Sequence, residues 1–322
     1  MKILIYSLGK SGTTALMYSI INAYKKDLKQ FFEPANLKQI NYKEDDLIVK
    51  SVYANRWNTD QEFFHHYDKL ILLVRNPLDR IVSYLLYLPY NGDGFSDDRN
   101  MQEYIDYLKS ITNDRRPPSI IELDSLYVKI TKRPSLIKVV KNQSKSILQL
   151  AKAFGSQFLH LKYEDFVDGE LDMINNYLSF NLNQEVEVEN KFKRTKRSGK
   201  YNDYLKFMSE TEYNELYEEL NDFFSYFNYD LSYRNLSSSL ESKNTFNYVI
   251  KVVNEYREKN YIPLFEDGVV KVKEEGDYFD RARREFMSKN YESSLDLLKQ
   301  AKEINPRFEA IEKMRLKIEK LR

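Results

Sequence analysis

Short apolar runs alternate with amphipathic stretches along the first two thirds of the chain. The strand-like runs are Ile3–Leu8, Leu47–Val49, Leu70–Val74 and Phe158–Tyr163. Helical spacing of apolar residues follows at Thr13–Lys26, Pro77–Leu88 and Ser135–Phe154. Continuous apolar runs such as Leu70–Val74 are typical of strands that are covered on both faces. The alternation predicts an α/β fold in which a central parallel sheet is flanked by helices.

The last third has a different pattern. From about Ser237 onward strand-like runs are scarce, and lysine, glutamate and asparagine dominate. We therefore predict one domain over 1–236 and an all-α C-terminal extension over 237–322. Within about 278–308, one tetratricopeptide-like unit is indicated by Tyr291, Ser294, Leu298, Ala301 and Pro306. A single unit cannot bury its own apolar face, so we expect it to pack against the preceding domain or against another protein, including a second copy.

Composition excludes several classes of protein. The net charge of +1 argues against nucleic-acid binding through a basic surface. The absence of cysteine excludes disulfides, thiol catalysis and cysteine-bound zinc, and three histidines argue against a metal site. No run of 18 apolar residues exists, so we expect no transmembrane segment. The first strand begins too early for a signal peptide, which favours a cytoplasmic location.

The loop after the first strand is the first candidate binding site. It consists of Gly9, Lys10, Ser11, Gly12, Thr13 and Thr14. A loop that joins a buried strand to a helix presents free backbone N–H groups and the helix dipole to an anion. Lys10 precedes the second glycine, whereas a Walker A loop ends in Gly-Lys-[Ser/Thr]. The sequence therefore predicts a P-loop-like phosphate cradle with an unusual residue order.

Arg75 begins a second candidate motif. It follows the apolar run Leu70–Val74, and Asn76 and Pro77 suit the start of a helix. An arginine at the carboxyl end of a strand can grip a phosphate with two N–H groups. Ser83, about two helical turns later, can face the same pocket. We interpret Asp79 and Arg80 as surface charges of this helix.

Four segments together resemble the sulfotransferases that use 3′-phosphoadenosine 5′-phosphosulfate (PAPS). The loop at Gly9–Thr14 resembles their phosphosulfate loop, and Arg75 with Ser83 resembles their 3′-phosphate motif. Leu161–Phe166 resembles a further family segment. Arg197–Tyr204 is similar to Arg-Lys-Gly-x-x-Gly-Asp-Trp near the family's C-terminus, with departures at Ser198, Asn202 and Tyr204. The resemblance covers about residues 1–225.

The resemblance implies PAPS as cofactor, 3′-phosphoadenosine 5′-phosphate as product, and no metal. It implies that Lys10 stabilises the leaving oxygen, with Lys50 beside it. It also implies that Arg197, Ser198 and Gly199 lie over the 3′-phosphate, although most cations between 191 and 200 are expected to be solvated.

The general base stays open, because the histidine that cytosolic members use has no counterpart at the matching position. Their Lys-Thr-His segment corresponds to Lys50-Ser51-Val52, so a valine stands in the histidine position. Carbohydrate-directed members use a glutamate shortly after the first helix, and Glu33 fits that position. Glu33 therefore suggests the hydroxyl of a glycan or glycolipid as acceptor.

Two other functions stay open at this point. A P-loop kinase of atypical loop sequence predicts Mg²⁺-dependent ATP binding and an acidic metal ligand after a strand. A binding module that keeps the fold without activity is compatible with Val52, and its helical tail would then serve as the interaction surface.

Overall fold

A computed structural model describes residues 1–53, 61–91, 93–112, 115–183, 189, 200–229, 243–260, 262–268, 274–304 and 309–321. Their contacts divide them into two compact units. The first takes described residues within 1–84, 118–124 and 134–237, and the second those within 85–117, 125–133 and 238–322. The domain boundary that we place between 236 and 237 stays a prediction.

The first unit contains a five-stranded parallel sheet in the order β2-β3-β1-β4-β5. The strands are β1 (Lys2–Ser7), β2 (Lys29–Phe32), β3 (Leu47–Val52), β4 (Lys69–Val74) and β5 (Leu159–Lys162). The predicted parallel sheet with flanking helices is therefore confirmed. The edge strand β2 was not predicted, because its four residues are half polar and give no apolar run.

Thirteen α-helices occur among the described residues. They are α1 (Thr13–Ala23), α2 (Gln61–Phe64), α3 (Pro77–Tyr87), α4 (Asp98–Thr112), α5 (Ile120–Thr131), α6 (Leu136–Phe154), α7 (Tyr163–Asp168), α8 (Asp172–Leu178), α9 (Glu210–Tyr226), α10 (Lys243–Lys259), α11 (Glu274–Met287), α12 (Tyr291–Ile304) and α13 (Glu309–Glu319). As expected, Asn76 caps α3, since its Oδ1 accepts the Leu78 N–H at 2.9 Å. Ser135 caps α6 in the same way through the Lys138 N–H.

The core of the first unit lies against the central strands. Ile3, Ile5, Ile71 and Leu73 are buried together with Leu16 of α1. Because all five strands are parallel, the segments that follow them meet at one edge of the sheet. That edge carries the Gly9–Thr14 loop after β1, Glu33 after β2, the end of β3, Arg75 after β4, and Tyr163 after β5.

In the second unit, α10 packs against α4 and the short turn Leu88–Asn91. Arg257 of α10 is fully buried; it pairs with Asp98 at 2.5 Å and donates to the carbonyl oxygens of Phe95, Ser96 and Pro263. Burial of this cation is therefore compensated by four acceptors.

Helices α11, α12 and α13 share an apolar cluster of their own. It contains Phe279, Ala282, Leu297, Leu298, Ala301, Ile311, Met314 and Ile318. Ser294 of α12 donates its hydroxyl hydrogen to the Ala282 carbonyl at 2.7 Å, which fixes α12 against α11. The apolar face that one helical pair leaves open is thus covered by α13. The assignment to a tetratricopeptide-like unit stays a prediction, and Pro306 lies outside the described residues.

The helices among the described residues are too short or too polar to cross a bilayer. The cytoplasmic location stays a prediction.

Candidate functional site

The loop between β1 and α1 makes a sharp turn through two left-handed residues. Lys10 has φ of 64° and Gly12 has φ of 83°. Gly12 is the N-cap of α1 and has no side chain to satisfy the first N–H groups of that helix. Those N–H groups and the helix dipole therefore face the loop, an arrangement that binds anions. For lysine the left-handed conformation costs roughly 1–2 kcal/mol, and such strain is often found at functional positions.

Two tyrosines close over the glycines of this loop. A Cβ atom at Gly9 would lie 2.3 Å from the Tyr84 hydroxyl oxygen, and one at Gly12 would lie 2.3 Å from a ring carbon of Tyr163. Both separations are far inside van der Waals contact. The close approach of the two rings therefore explains why glycine occupies both positions.

Arg75 lies against the same loop. Its Nη1 donates to the Lys10 carbonyl at 3.2 Å, and its guanidinium carbon is 4.5 Å from the centre of the Tyr163 ring. The side chain is 8% exposed, and its Nε has no hydrogen-bond partner among the described residues. The hydroxyl of Ser11, also buried, has none either. Buried donors are normally satisfied, so these two groups fit a site whose ligand supplies acceptors.

Arg80 and Asp79 are not surface charges, and that prediction was wrong. Arg80 is 0% exposed; its Nε donates to the Gly9 carbonyl at 3.1 Å and its Nη2 to Gln143 Oε1 at 2.6 Å. Burial lowers the pKa of Arg80, while Tyr84 opposes that effect. The charged side chains in the first turn of α3 are therefore buried, and Arg80 contacts the loop directly through the Gly9 carbonyl.

Glu33 and Lys50 form an ion pair beside the loop. Lys50 Nζ lies 2.6 Å from Glu33 Oε1, 3.0 Å from Thr14 Oγ1 and 3.9 Å from the centre of the Phe32 ring. The Lys50 side chain is 6% exposed and that of Glu33 is 45% exposed. Burial lowers the pKa of Lys50, and Glu33 opposes that shift.

The backbone of Glu33 is also left-handed, with φ of 49°, and its N–H donates to the Lys50 carbonyl at 2.9 Å. Two of the three predicted catalytic residues, Lys10 and Glu33, thus each have a left-handed backbone. Glu33 also forms a salt bridge with the third, Lys50. Val52 ends β3 beside them. The arrangement sets a buried ammonium next to the loop and a partly exposed carboxylate behind it.

The remaining predicted residues are placed only in part. Ser83 lies on α3, half-buried, eight residues after Arg75. Arg197, Ser198 and Gly199 lie outside the described residues. The segment that follows them is described, and it reaches the site through Asn202 and Tyr204, whose N–H groups donate to Asp79 at 2.7 and 3.3 Å.

Sequence reasoning gave no role to Glu164, which follows β5 at the same edge. Its carboxylate accepts the Asn76 N–H at 3.0 Å and the Tyr229 hydroxyl at 2.9 Å. Burial is the largest cause that raises the pKa of Glu164 to about 7, and Asp79 adds to the rise. The signal that points to it is its place directly after an apolar run, where the other candidate residues also stand.

No cluster of three or more histidine, aspartate or glutamate side chains within the described ranges is placed to hold a metal ion. Comparison of the chain with protein-family models, with curated proteins and with solved structures finds no match.

Proposed function

We propose that this protein transfers a sulfuryl group from PAPS to the hydroxyl of an acceptor. The observation that carries the proposal is the contact between Arg75 and the Lys10 carbonyl, two residues that are 65 positions apart in the chain. It brings an arginine to the anion-binding loop at the start of α1, so that two phosphate-binding groups share one edge of the sheet. A nucleotide with phosphates at both its 5′ and 3′ positions requires such a pair.

The donor groups fit the phosphate oxygens of that nucleotide. The N–H groups at the start of α1, the Ser11 hydroxyl and the Arg75 Nε all lie in or against the loop, and the last two lack partners among the described residues. Charge-assisted hydrogen bonds from arginine to phosphate are among the strongest in proteins. The loop would bind the 5′-phosphosulfate group, and Arg75 would bind the 3′-phosphate.

The reaction requires the chain to stabilise the leaving oxygen and to accept a proton. PAPS supplies the sulfuryl group, and the new bond from the acceptor oxygen to sulfur replaces the bond from sulfur to the 5′-phosphate oxygen. Lys10 stabilises the charge that develops on that leaving oxygen, and loss of such a group typically lowers the rate roughly 10²–10³-fold. Glu33 accepts the proton of the acceptor hydroxyl.

Lys50 lies between the proposed base and the loop that would bind the leaving group. Its ammonium already contacts Glu33 and the loop residue Thr14. It therefore orients the carboxylate and adds positive charge at the leaving group. Because Glu33 rather than a histidine would be the base, we propose a glycan or glycolipid hydroxyl as acceptor.

Calorimetric titration with 3′-phosphoadenosine 5′-phosphate tests the binding site. We expect the wild-type protein to bind it, and Arg75→Ala to weaken binding about tenfold or more, as loss of a charged hydrogen bond predicts. Arg99→Ala, which removes an exposed arginine of α4, is the matched control and should change nothing. Absence of binding, or binding that Arg75→Ala leaves unchanged, would contradict the proposal.

Transfer of labelled sulfate from PAPS to a panel of glycans, glycolipids and small phenols tests the reaction. We expect transfer without added metal. Binding of ATP with Mg²⁺ in place of the bisphosphate would favour a kinase. Bisphosphate binding without transfer to any acceptor would favour an inactive binding module.

A further inference from the structure

Asp79 is a buried carboxylate in the first turn of α3, four residues after Arg75. It is 1% exposed. Its Oδ2 accepts the Asn202 N–H at 2.7 Å and its Oδ1 accepts the Tyr204 N–H at 3.3 Å. Burial raises the pKa of Asp79, and the charge of Arg75 is the main influence that opposes this rise. One carboxylate therefore joins two parts of the chain more than 120 residues apart.

The segment that Asp79 holds has a defined local structure. Asn202 has φ of 63° and precedes the short 3₁₀ turn Asp203–Lys206. The Tyr204 ring is buried and stacks on Tyr213 with 6.0 Å between ring centres. The Tyr204 side chain also hydrogen-bonds to that of Asn76. This segment is thus held by two hydrogen bonds to Asp79 and one to Asn76.

A carboxylate suits this position better than a neutral side chain. Two backbone N–H groups arrive at two different oxygen atoms, and an amide offers only one oxygen as acceptor. Burial of a carboxylate is costly unless charges and hydrogen bonds compensate for it. Arg75 and the two N–H groups provide that compensation. Asp79 can therefore stay charged only while the segment 202–204 and Arg75 remain in place around it.

We propose that Asp79 is a positioning residue that fixes the segment 202–204 against Arg75 and Asn76 and thereby shapes the 3′-phosphate subsite. This inference rests on the proposed function, which assigns the 3′-phosphate to Arg75. Two effects of Asp79 on a bound phosphate oppose each other. Its negative charge repels the phosphate, whereas its hydrogen bonds hold the groups that surround the phosphate in place.

Asp79→Asn distinguishes these effects, because it keeps the shape of the side chain and removes its charge, and the two effects then predict opposite changes in the affinity for the phosphate. If Asp79 acts only through its charge, the variant binds an anion more tightly. If it positions the subsite, the variant binds more weakly, since one of the two backbone N–H groups loses its acceptor. We expect weaker binding.

The experiment compares two ligands that differ only in the 3′-phosphate, namely 3′-phosphoadenosine 5′-phosphate and adenosine 5′-phosphate. Calorimetry on the full chain gives the ratio of their dissociation constants. We expect Asp79→Asn to reduce the preference for the bisphosphate about tenfold, with little change for adenosine 5′-phosphate. Asp124→Asn is the matched control, because Asp124 of α5 is also buried and accepts a backbone N–H, from Leu136 at 2.7 Å.

A milder variant covers the case in which Asp79→Asn does not fold. Tyr204→Phe removes the hydroxyl that reaches Asn76 and keeps the ring that stacks on Tyr213, and it should reduce the same preference about threefold. Hydrogen exchange at the Asn202 and Tyr204 amides should become faster in Asp79→Asn when that variant folds.

The outcomes distinguish the two proposals. A wild-type protein that prefers the bisphosphate, with variants that keep or increase the preference, overturns the positioning role alone. A wild-type protein that binds neither ligand, or both equally, overturns the proposed function and this inference with it. A preference that falls in Asp79→Asn and not in Asp124→Asn supports both.

Discussion

The two ends of the candidate site are built differently. At one end Arg75 is buried and is held by the Lys10 carbonyl and the Tyr163 ring, with Asp79 close by. At the other end Glu33 is 45% exposed, and the ion pair with Lys50 is its main side-chain contact. Arg75 therefore has three neighbouring groups that hold it or balance its charge, whereas the Glu33 side chain is held mainly by one ion pair.

The difference separates the tasks of binding and chemistry. A buried arginine that its neighbours hold in place is preorganised, so little ordering is needed when an anion binds. A carboxylate that is half exposed can exchange its lysine partner for an acceptor hydroxyl. We therefore expect substitutions at the Arg75 end to change affinity and stability, and substitutions at the Glu33 end to change the rate.

Glu33→Gln should produce the largest effect on the rate. Loss of a general base lowers kcat roughly 10²–10⁴-fold. The glutamine oxygen can still accept a hydrogen bond from Lys50, so affinity for 3′-phosphoadenosine 5′-phosphate should stay within about twofold of wild type. Initial rates of sulfate transfer and calorimetric titration measure the two quantities.

Glu44→Gln is the control for Glu33→Gln, because Glu44 precedes β3 and its carboxylate accepts a hydrogen bond from nearby Asn41. It should leave both quantities unchanged. If Glu33→Gln weakened nucleotide binding as strongly as it lowered the rate, the division between the two ends would be wrong.

Two substitutions of Lys10 distinguish the role of its ammonium group in the reaction from the strain of its backbone. Lys10→Met and Lys10→Gly should each lower kcat roughly 10²–10³-fold, because both remove the ammonium from the leaving oxygen. Only Lys10→Gly removes the strain of a left-handed backbone at φ of 64°. It should therefore be more stable than Lys10→Met, by about 1 kcal/mol in the free energy of unfolding.

Urea titration of the two Lys10 variants measures that difference. Equal stabilities would show that the turn carries no strain at Lys10. Equal rates for either variant and the wild-type protein would remove Lys10 from the proposed chemistry.

The sequence was sufficient to predict a parallel sheet, with four of its five strands, and the edge of that sheet at which the candidate residues stand. Apolar runs mark β1, β3, β4 and β5, and the residues that follow parallel strands must meet at one edge. Lys10 and Arg75 follow β1 and β4, which are neighbours in the sheet, so the topology brings them together. Their contact at 3.2 Å follows from topology and not from local pattern.

Burial of charged residues was not predictable in the same way. Asp79 and Arg80 sit on a helix whose pattern gives no sign that its first turn is covered. What covers Asp79 is the segment 202–204, and such long-range pairing leaves no periodic signal in the chain. The pairing of Glu33 with Lys50 was likewise hidden, because β2 is too short and too polar to be recognised as the neighbour of β3.

Stability should depend on pH through Glu164 at the Arg75 end. Burial raises the pKa of Glu164 from its ordinary 4.5 to about 7 in the folded protein. Between these values the folded state binds more protons than the unfolded state, so stability falls as pH rises and the loss is complete above about 7. The difference corresponds to about 3 kcal/mol.

Glu164→Gln should remove this dependence. Measured by urea titration from pH 4.5 to 8, the stability of the variant relative to wild type should increase with pH and level off above about 7. Glu170→Gln, at an exposed glutamate nearby, should follow the wild-type curve. Parallel curves for wild type and Glu164→Gln would mean that folding does not shift the pKa of Glu164, and the contrast between the two ends would weaken.

The smallest expected effect is a difference in the free energy of unfolding that reports how rigid the Arg75 end is. Gly12→Ala combines a left-handed backbone with a Cβ atom 2.3 Å from the Tyr163 ring, whereas Gly268→Ala has nearly the same φ, 81°, and nothing within 4 Å. The second substitution should cost about 1 kcal/mol for the backbone alone. The first should cost about 2–3 kcal/mol, because Tyr163 is buried and stacks on Arg75. The excess in the free energy of unfolding therefore measures how firmly Arg75 holds the tyrosine, and equal costs would mean that the ring moves aside freely and that this end is not preorganised.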